Sequence, residues 1–366
     1  METILSKLIR IACLLVWAMA GSVFVMAASA QDNLQTNTVF GALADSPLWA
    51  AYKKQFVGSK GNVIDNVNGG ISHSESQGYG MLLAIAANDK AAFDLIYSFT
   101  SNTLAVRSDA LHSWRYTPTA QQAVSDTNNA SDGDILIAWA LLEASEAGWG
   151  QNHRDKALEI LTDLEPQMSE WPEIGLILAP GEMGFDYKKT GLIANLSYWV
   201  FPAFERLAHL TGARRWLRLQ ASGEQLIDQF VIQKQGRVPD WILLKKGHVN
   251  ALLAPEKPPL FGYEAIRIPL YLLMSETGNK DLALAIIKAA QTASGQKLQV
   301  LDIESGKAED VFKDAGYDTI VSLAHCHDTG TPIRSSLMQS LDQNYYPATL
   351  QLLALAAAKQ RYASCL

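Results

Sequence analysis

The feature that most constrains this chain is a succession of Ala- and Leu-rich segments with helical spacing and little strand-like alternation. Ser46-Pro47 reads as an N-cap and first helical position ahead of Leu48, Trp49, Tyr52 and Phe56. Helical spacing recurs at 80–87, 90–99, 134–147, 154–167, 191–210, 213–230, 263–276, 280–293, 308–324 and 346–362. Their composition favours helix over strand, and the pattern predicts an all-α fold of roughly ten to twelve helices. The helices pair about every 45 to 55 residues, the spacing of a helical array or a closed ring of hairpins. The irregular stretches are 57–74, 106–131, 168–190 and 234–262. Long loops of this kind in a compact domain are usually functional.

Lys7 and Arg10 precede an apolar run from Ile11 to Met26, and Ala28-Ser29-Ala30 supplies small residues before Gln31. This reads as a secretory leader, residues 1–30, with an uncleaved anchor as the alternative. Residues 31–366 are then expected to form a single domain in the periplasm or outside the cell, with no membrane association once the leader is removed. No later apolar run approaches the roughly 18 residues of a second span. The chain carries 30 Lys plus Arg against 37 Asp plus Glu, a formal net charge of −7. That argues against a nucleic-acid binder, which usually shows a basic face. At 48% hydrophobic and 18% charged, it has ample material for a core. Beyond the leader the cysteines are Cys326 and Cys365; either they pair in an oxidising compartment, or Cys365, next to the last residue, frays.

The chain has no phosphate-binding loop, dinucleotide fingerprint, zinc-protease motif or nucleophile elbow, so no cofactor is expected. His325-Cys326-His327 suggests a metal cluster, but adjacent residues rarely face one ion, and no metal is expected there. In Asp132-Gly133-Asp134, an Asp at a helix start is ordinarily an N-cap.

The informative string is Ser72-His73-Ser74-Glu75-Ser76-Gln77-Gly78-Tyr79-Gly80-Met81. Glu75 is either a first-turn acid favoured by the helix dipole or the centre of a polar cluster placed where a core face should begin. The string resembles the S-E-G-Q-G-Y-G-M signature of glycoside hydrolase family 8. Asn62 to Asp65 resembles the family's lead-in, and Asn129 to Asp134 with Ile137 to Leu142 its second motif. Pro239-Asp240-Trp241 and Tyr263 to Arg267 resemble two further blocks, all in family order. Within the family the chain is similar to the periplasmic endoglucanases of bacterial cellulose synthesis operons.

The resemblance implies an (α/α)6 barrel that cleaves β-1,4-glycosidic bonds with inversion. It implies that Glu75 is the general acid, that Asp132 holds the distorted sugar at the cleavage site, and that Glu264 stands where the general base sits. Glu264 takes a place more often held by Asp, Ser76 replaces a Gly, and Leu196 in Asn195-Leu196-Ser197-Tyr198 stands where Pro is frequent. The residues suit a division of labour: Gly, Tyr and Met around Glu75 favour a neutral acid, and Arg267, one helical turn after Glu264, favours an ionised base. The plain alternative for Glu264 and Arg267 is a surface ion pair. Sugar rings need flat aromatic partners with polar groups at their edges. Trp114, Tyr116, Trp241, Tyr79 and Tyr198, with Asp240 and Arg267, are the substrate-binding candidates. Trp49, Trp139, Trp199 and Trp216 fall at core positions. The expected partner is a β-1,4-glucan, with a cellulose synthase complex as a further partner. The alternatives are xylan, mixed-linkage glucan or chitosan as substrate, or a non-catalytic glucan-binding component of such a complex.

Overall fold

Helices alternate between two environments along the chain. The computed structural model describes residues 39–366, which form one compact unit; the expected leader lies outside them. Among the described residues there are twelve α-helices: α1 (Pro47–Phe56), α2 (Ser74–Ala86), α3 (Lys90–Phe99), α4 (Ser131–Glu146), α5 (His153–Leu164), α6 (Phe201–Thr211), α7 (Arg215–Gln233), α8 (Arg267–Met274), α9 (Lys280–Ala290), α10 (Ala315–Thr329), α11 (Ser335–Gln339) and α12 (Tyr345–Arg361). Even-numbered helices are buried around much of their circumference, and α8 is buried along its whole length. Odd-numbered helices bury one stripe: α3 turns in only Ala92, Phe93, Ile96 and Phe99. A helix apolar all round belongs inside, and one with a single stripe belongs on the surface.

The contacts close a ring. Helix α2 packs on α4, α4 on α6, α6 on α8, α8 on α10 and α12, and α12 returns to α2. Each inner helix carries an outer partner: α3, α5, α7, α9, α11 and α1 respectively. This is the (α/α)6 barrel that the resemblance implies. Buried Arg206 of α6 donates from Nε to Glu143 of α4 at 2.6 Å, adding a polar link between two inner helices.

The two ends of the barrel differ. Connections from an inner helix to the next outer one are tight: 87–89, 147–152, 212–214, 275–279 and 330–334. Gly212, at φ 72°, ends α6 in the left-handed conformation that such a turn requires. Connections from outer to inner helices, except the short 340–344 before α12, are long and hold every strand among the described residues. β1 (Ser72–His73) pairs with β2 (Arg115–Tyr116), and β3 (Met168–Trp171) with β4 (Gly175–Leu178). β5 (Asp186–Tyr187), β6 (Gly191–Ala194), β7 (Ile242–Lys245) and β8 (Leu252–Leu253) form an antiparallel sheet. β9 (Leu260–Phe261), β10 (Gln299–Asp302) and β11 (Ala308–Val311) form another.

Several helical expectations shift. Residues 191–194 are strand rather than helix, because Gly191 to Ala194 finds a backbone partner in Ile242 to Lys245. Ala308 to Val311 likewise pairs with β10, so α10 starts only at Ala315. Long-range pairing overrides local propensity at 191–194, and hairpin pairing with β10 does so at 308–311. Helix α2 starts at Ser74, earlier than the expected Gly80. The His73 ring accepts the Ser76 N–H at 3.1 Å while Ser76 Oγ accepts the His73 N–H at 3.0 Å, a reciprocal cap. Asp132 lies inside the first turn of α4, whose N-cap is Ala130, so it does not cap. Trp49, Trp139, Trp199 and Trp216 are in the core as expected, joined by Trp171. Cys326 and Cys365 form a disulfide. Its neighbours have other partners: the His325 ring meets Gln291, and the His327 ring meets Tyr362.

The starts of α2 and α4 touch at Gly133. A Cβ there would lie 2.1 Å from Ser74 Oγ and 2.8 Å from the Glu75 backbone nitrogen. Gly133→Ala is expected to destabilise the fold by about 1–3 kcal/mol through overpacking. Urea unfolding midpoints, measured with activity, check this; an unchanged midpoint contradicts the close approach.

Candidate active site

Inner-helix starts gather the chemistry at one end of the barrel. Glu75 is in the first turn of α2 and Asp132 in the first turn of α4. Ser197 and Tyr198 precede α6, Glu264 lies in the turn before α8 and Arg267 opens it, and Asn344 to Tyr346 open α12. Helix N-termini carry partial positive charge, which favours carboxylates there. Two cavities lie over these starts. One, of 520 Å³, is lined by Trp114, Arg115, Asp132 and Tyr198; the other, of 550 Å³, by Tyr263, Arg267, Tyr317 and Tyr346. They share Asp65, Asn68, His73, Glu75 and Glu264 along one boundary. A larger depression of 820 Å³ runs beside α3 and α5, but its lining, such as Asp155, Glu159 and Asp163, includes no residue of an inner-helix start.

Arg267 is the hub. It is 1% exposed, and its Nη1 donates to Glu75 at 2.6 Å and to Asp132 at 3.1 Å. Its Nη2 donates to Ser197 Oγ at 2.7 Å and to Glu264. The Tyr198 ring lies 5.4 Å from the guanidinium. Burial opposes the arginine's charge, yet Glu75 and Glu264 around it raise its pKa well above the ordinary arginine value. The division expected from the sequence, an acid in apolar surroundings and a base with its own arginine, is corrected here: one guanidinium serves all three carboxyls. Asp132, fully buried, is the group driven well above the usual carboxylate range, by burial first and then by the charge of Glu75. Glu75 and Glu264 are the more open of the three, with side chains 16% and 34% exposed against 1% for Asp132.

The remaining candidates divide. Trp114 and Tyr198 line the 520 Å³ cavity. The Trp114 indole donates to Asp126 at 2.7 Å, and Arg115 sits 5.5 Å from its ring. Trp241 lies beside Tyr198, with ring centroids 6.0 Å apart, and is nearly parallel to Phe185 at 6.1 Å. Lys257 covers it at 4.7 Å. Tyr79 is corrected: it is completely buried and its hydroxyl bonds Tyr271, so it reaches no sugar. Tyr116 packs edge-on against Phe99, 5.2 Å away, and lines neither cavity. Asp240 is a scaffold, accepting the N–H groups of Gly262 at 2.9 Å and Ala265 at 2.8 Å on either side of Glu264. The polar cluster around Glu75 is also partly scaffold: buried Gln77 ties Val63, Gly61 and Thr100 to α2. Reading the sequence left Asp65, Asn68, His73, Tyr263, Tyr317 and Tyr346 unassigned. Their shared signal is position, in the stretch before an inner helix or in its first turn. Among the described residues no cluster of three or more His, Cys, Asp or Glu side chains is placed to hold a metal ion, and no helix is long and apolar enough to cross a membrane.

Comparison with known proteins accords with this geometry. The profile of the family described as Glycosyl hydrolases family 8 matches residues 14–360. A probable endoglucanase of Novacetimonas hansenii is 32% identical over 342 residues, 91% of this chain and 97% of that protein. An endoglucanase of Cellulomonas uda is 39% identical over 225 residues, 61% of this chain but 62% of that protein. The crystal structure of a family 8 endoglucanase from Klebsiella pneumoniae superimposes with a TM-score of 0.74 at 32% identity, covering 86% of this chain and 99% of that one. The chain belongs to glycosyl hydrolase family 8.

Asp240 gives a pH prediction. Burial pushes its carboxyl up to about 6, with a smaller contribution from the charge of Glu264. A folded-state value above the ordinary 3.8 means that its stabilising contribution is complete below the ordinary value and is lost as pH rises through about 6. Asp240→Asn keeps an oxygen for both N–H groups but cannot ionise. Its melting temperature is expected to fall less than the wild type's between about pH 4 and pH 7. Parallel melting curves across that window would contradict the assignment.

Proposed function

We propose that this chain is an endo-β-1,4-glucanase that hydrolyses internal bonds of a β-1,4-glucan with inversion at the anomeric carbon. The observation that carries the reading is the convergence of Glu75, Asp132 and Glu264 on one buried arginine, at the boundary of two confluent cavities. Relatives named endoglucanase support the polymer class. A solved endo-β-1,4-glucanase from an Achatina fulica gut metagenomic library, 30% identical with a TM-score of 0.74, does so as well. Trp114 and Tyr198 on one side, and Tyr263, Tyr317 and Tyr346 on the other, supply faces for sugar rings.

In this reading Glu75 protonates the glycosidic oxygen as the bond from that oxygen to the anomeric carbon breaks. A water held by Glu264 attacks the same carbon from the opposite face and gives its proton to Glu264. An inverting pair needs a gap for that water, and here the two carboxylates meet through a guanidinium instead of directly. Burial raises the Asp132 carboxyl well above the usual carboxylate range, beside Glu75 on the same guanidinium nitrogen. The expected export to the periplasm belongs to this reading, since a polymer substrate lies outside the cytoplasm.

Glu75→Gln is expected to lower kcat by about 10²–10⁴ with little change in KM, because only proton donation is lost. Reducing ends released from carboxymethylcellulose, set against xylan, mixed-linkage glucan and chitosan, measure it. NMR of the first product should show the α-anomer. A β-anomer, or equal hydrolysis by Glu75→Gln, sinks the proposal.

A further inference from the structure

Asn195 precedes the short turn Leu196–Tyr198 and is 1% exposed. Its Oδ1 accepts two bonds from Ser197, from the backbone N at 3.0 Å and from Oγ at 2.7 Å. Ser197 Oγ is itself held by Arg267. These contacts decide which end of the amide is oxygen, so its nitrogen faces Glu264 Oε2, 3.2 Å away. Among the described residues Glu264 Oε1 makes no hydrogen bond, while Oε2 takes donors from both Arg267 and Asn195.

We propose that Asn195 is a positioning residue for Glu264: it fixes one carboxylate oxygen so that the other is presented to the cavity and its water. This rests on the reading of Glu264 as the base. Arg267 alone supplies charge from one direction, and the flexible, one-third exposed glutamate would still rotate about that contact. A second, neutral donor sets the plane of the carboxylate without adding charge. The other titratable groups facing Glu264 are Arg267 of α8, Asp132 of α4, Tyr346 of α12, and Tyr198 and Asp240 from the long connections, with Glu75 of α2 across the guanidinium.

Asn195→Asp separates this role from turn capping. The aspartate keeps the oxygen that Ser197 needs and turns the donor into a second anion beside Glu264. On a neutral cello-oligosaccharide, kcat is expected to fall by about tenfold to a hundredfold with KM nearly unchanged. The acidic limb of the kcat–pH profile should move to higher pH, since a neighbouring anion disfavours the ionised base. Asn195→Ala should lower kcat without moving that limb. An Asn195→Asp enzyme with wild-type kcat and pH profile, or an Asn195→Ala enzyme with wild-type kcat, overturns the proposal. Glu264→Ala, run in parallel, separates the two readings. If it loses activity that azide restores while Asn195→Asp behaves as wild type, only the role of Asn195 fails. If Glu264→Ala is fully active, the base reading fails with it.

Discussion

A single buried cation organises the working end of this barrel. Arg267 has no access to bulk water, so its charge must be met by the protein, and Glu75, Asp132 and Glu264 surround it from the first turns of α2 and α4 and from the turn before α8. Of the three carboxyls around this guanidinium it is Asp132, the most buried, whose carboxyl is driven well above the usual carboxylate range, by burial first. Removing one partner from such a cluster would leave charge unpaired in a low-dielectric site, which is costlier than any surface ion pair. The arrangement therefore ties stability to the geometry that the chemistry needs.

The barrel supplies the frame for that cluster. Burying the inner helices over most of their surface requires small residues where they cross, and Gly133 lets the first turns of α2 and α4 meet. That contact brings Glu75 and Asp132 together. Asp240 does comparable work from a loop, holding the backbone on both sides of Glu264.

Much of this was legible in the sequence, for identifiable reasons. Helical spacing exposed most of the barrel because apolar stripes repeat locally, and the tryptophans at helical positions fell in the core. The strand at 191–194 was not legible because its partner, 242–245, is distant in the chain, and 308–311 because its place is set by a bulged hairpin with 299–302. The same limit applies to the site. Glu75, Asp132, Glu264 and Arg267 stand in recognisable strings, but spacing alone paired Arg267 with Glu264 and concealed its bonds to Glu75 and Asp132. Tyr79 sits in the most recognisable string of all and is nonetheless core, because its ring is fully buried and its hydroxyl bonds Tyr271 of α8.

The unequal ends of the barrel have a practical reach. Tight turns such as 147–152 and 275–279 lie opposite the strand-bearing connections that surround the carboxyls. A dye, tether or solid support coupled through those turns would leave the open end free for a fibre too long to enter any closed chamber. Loop grafting aimed at new polymers would likewise be confined to the other rim.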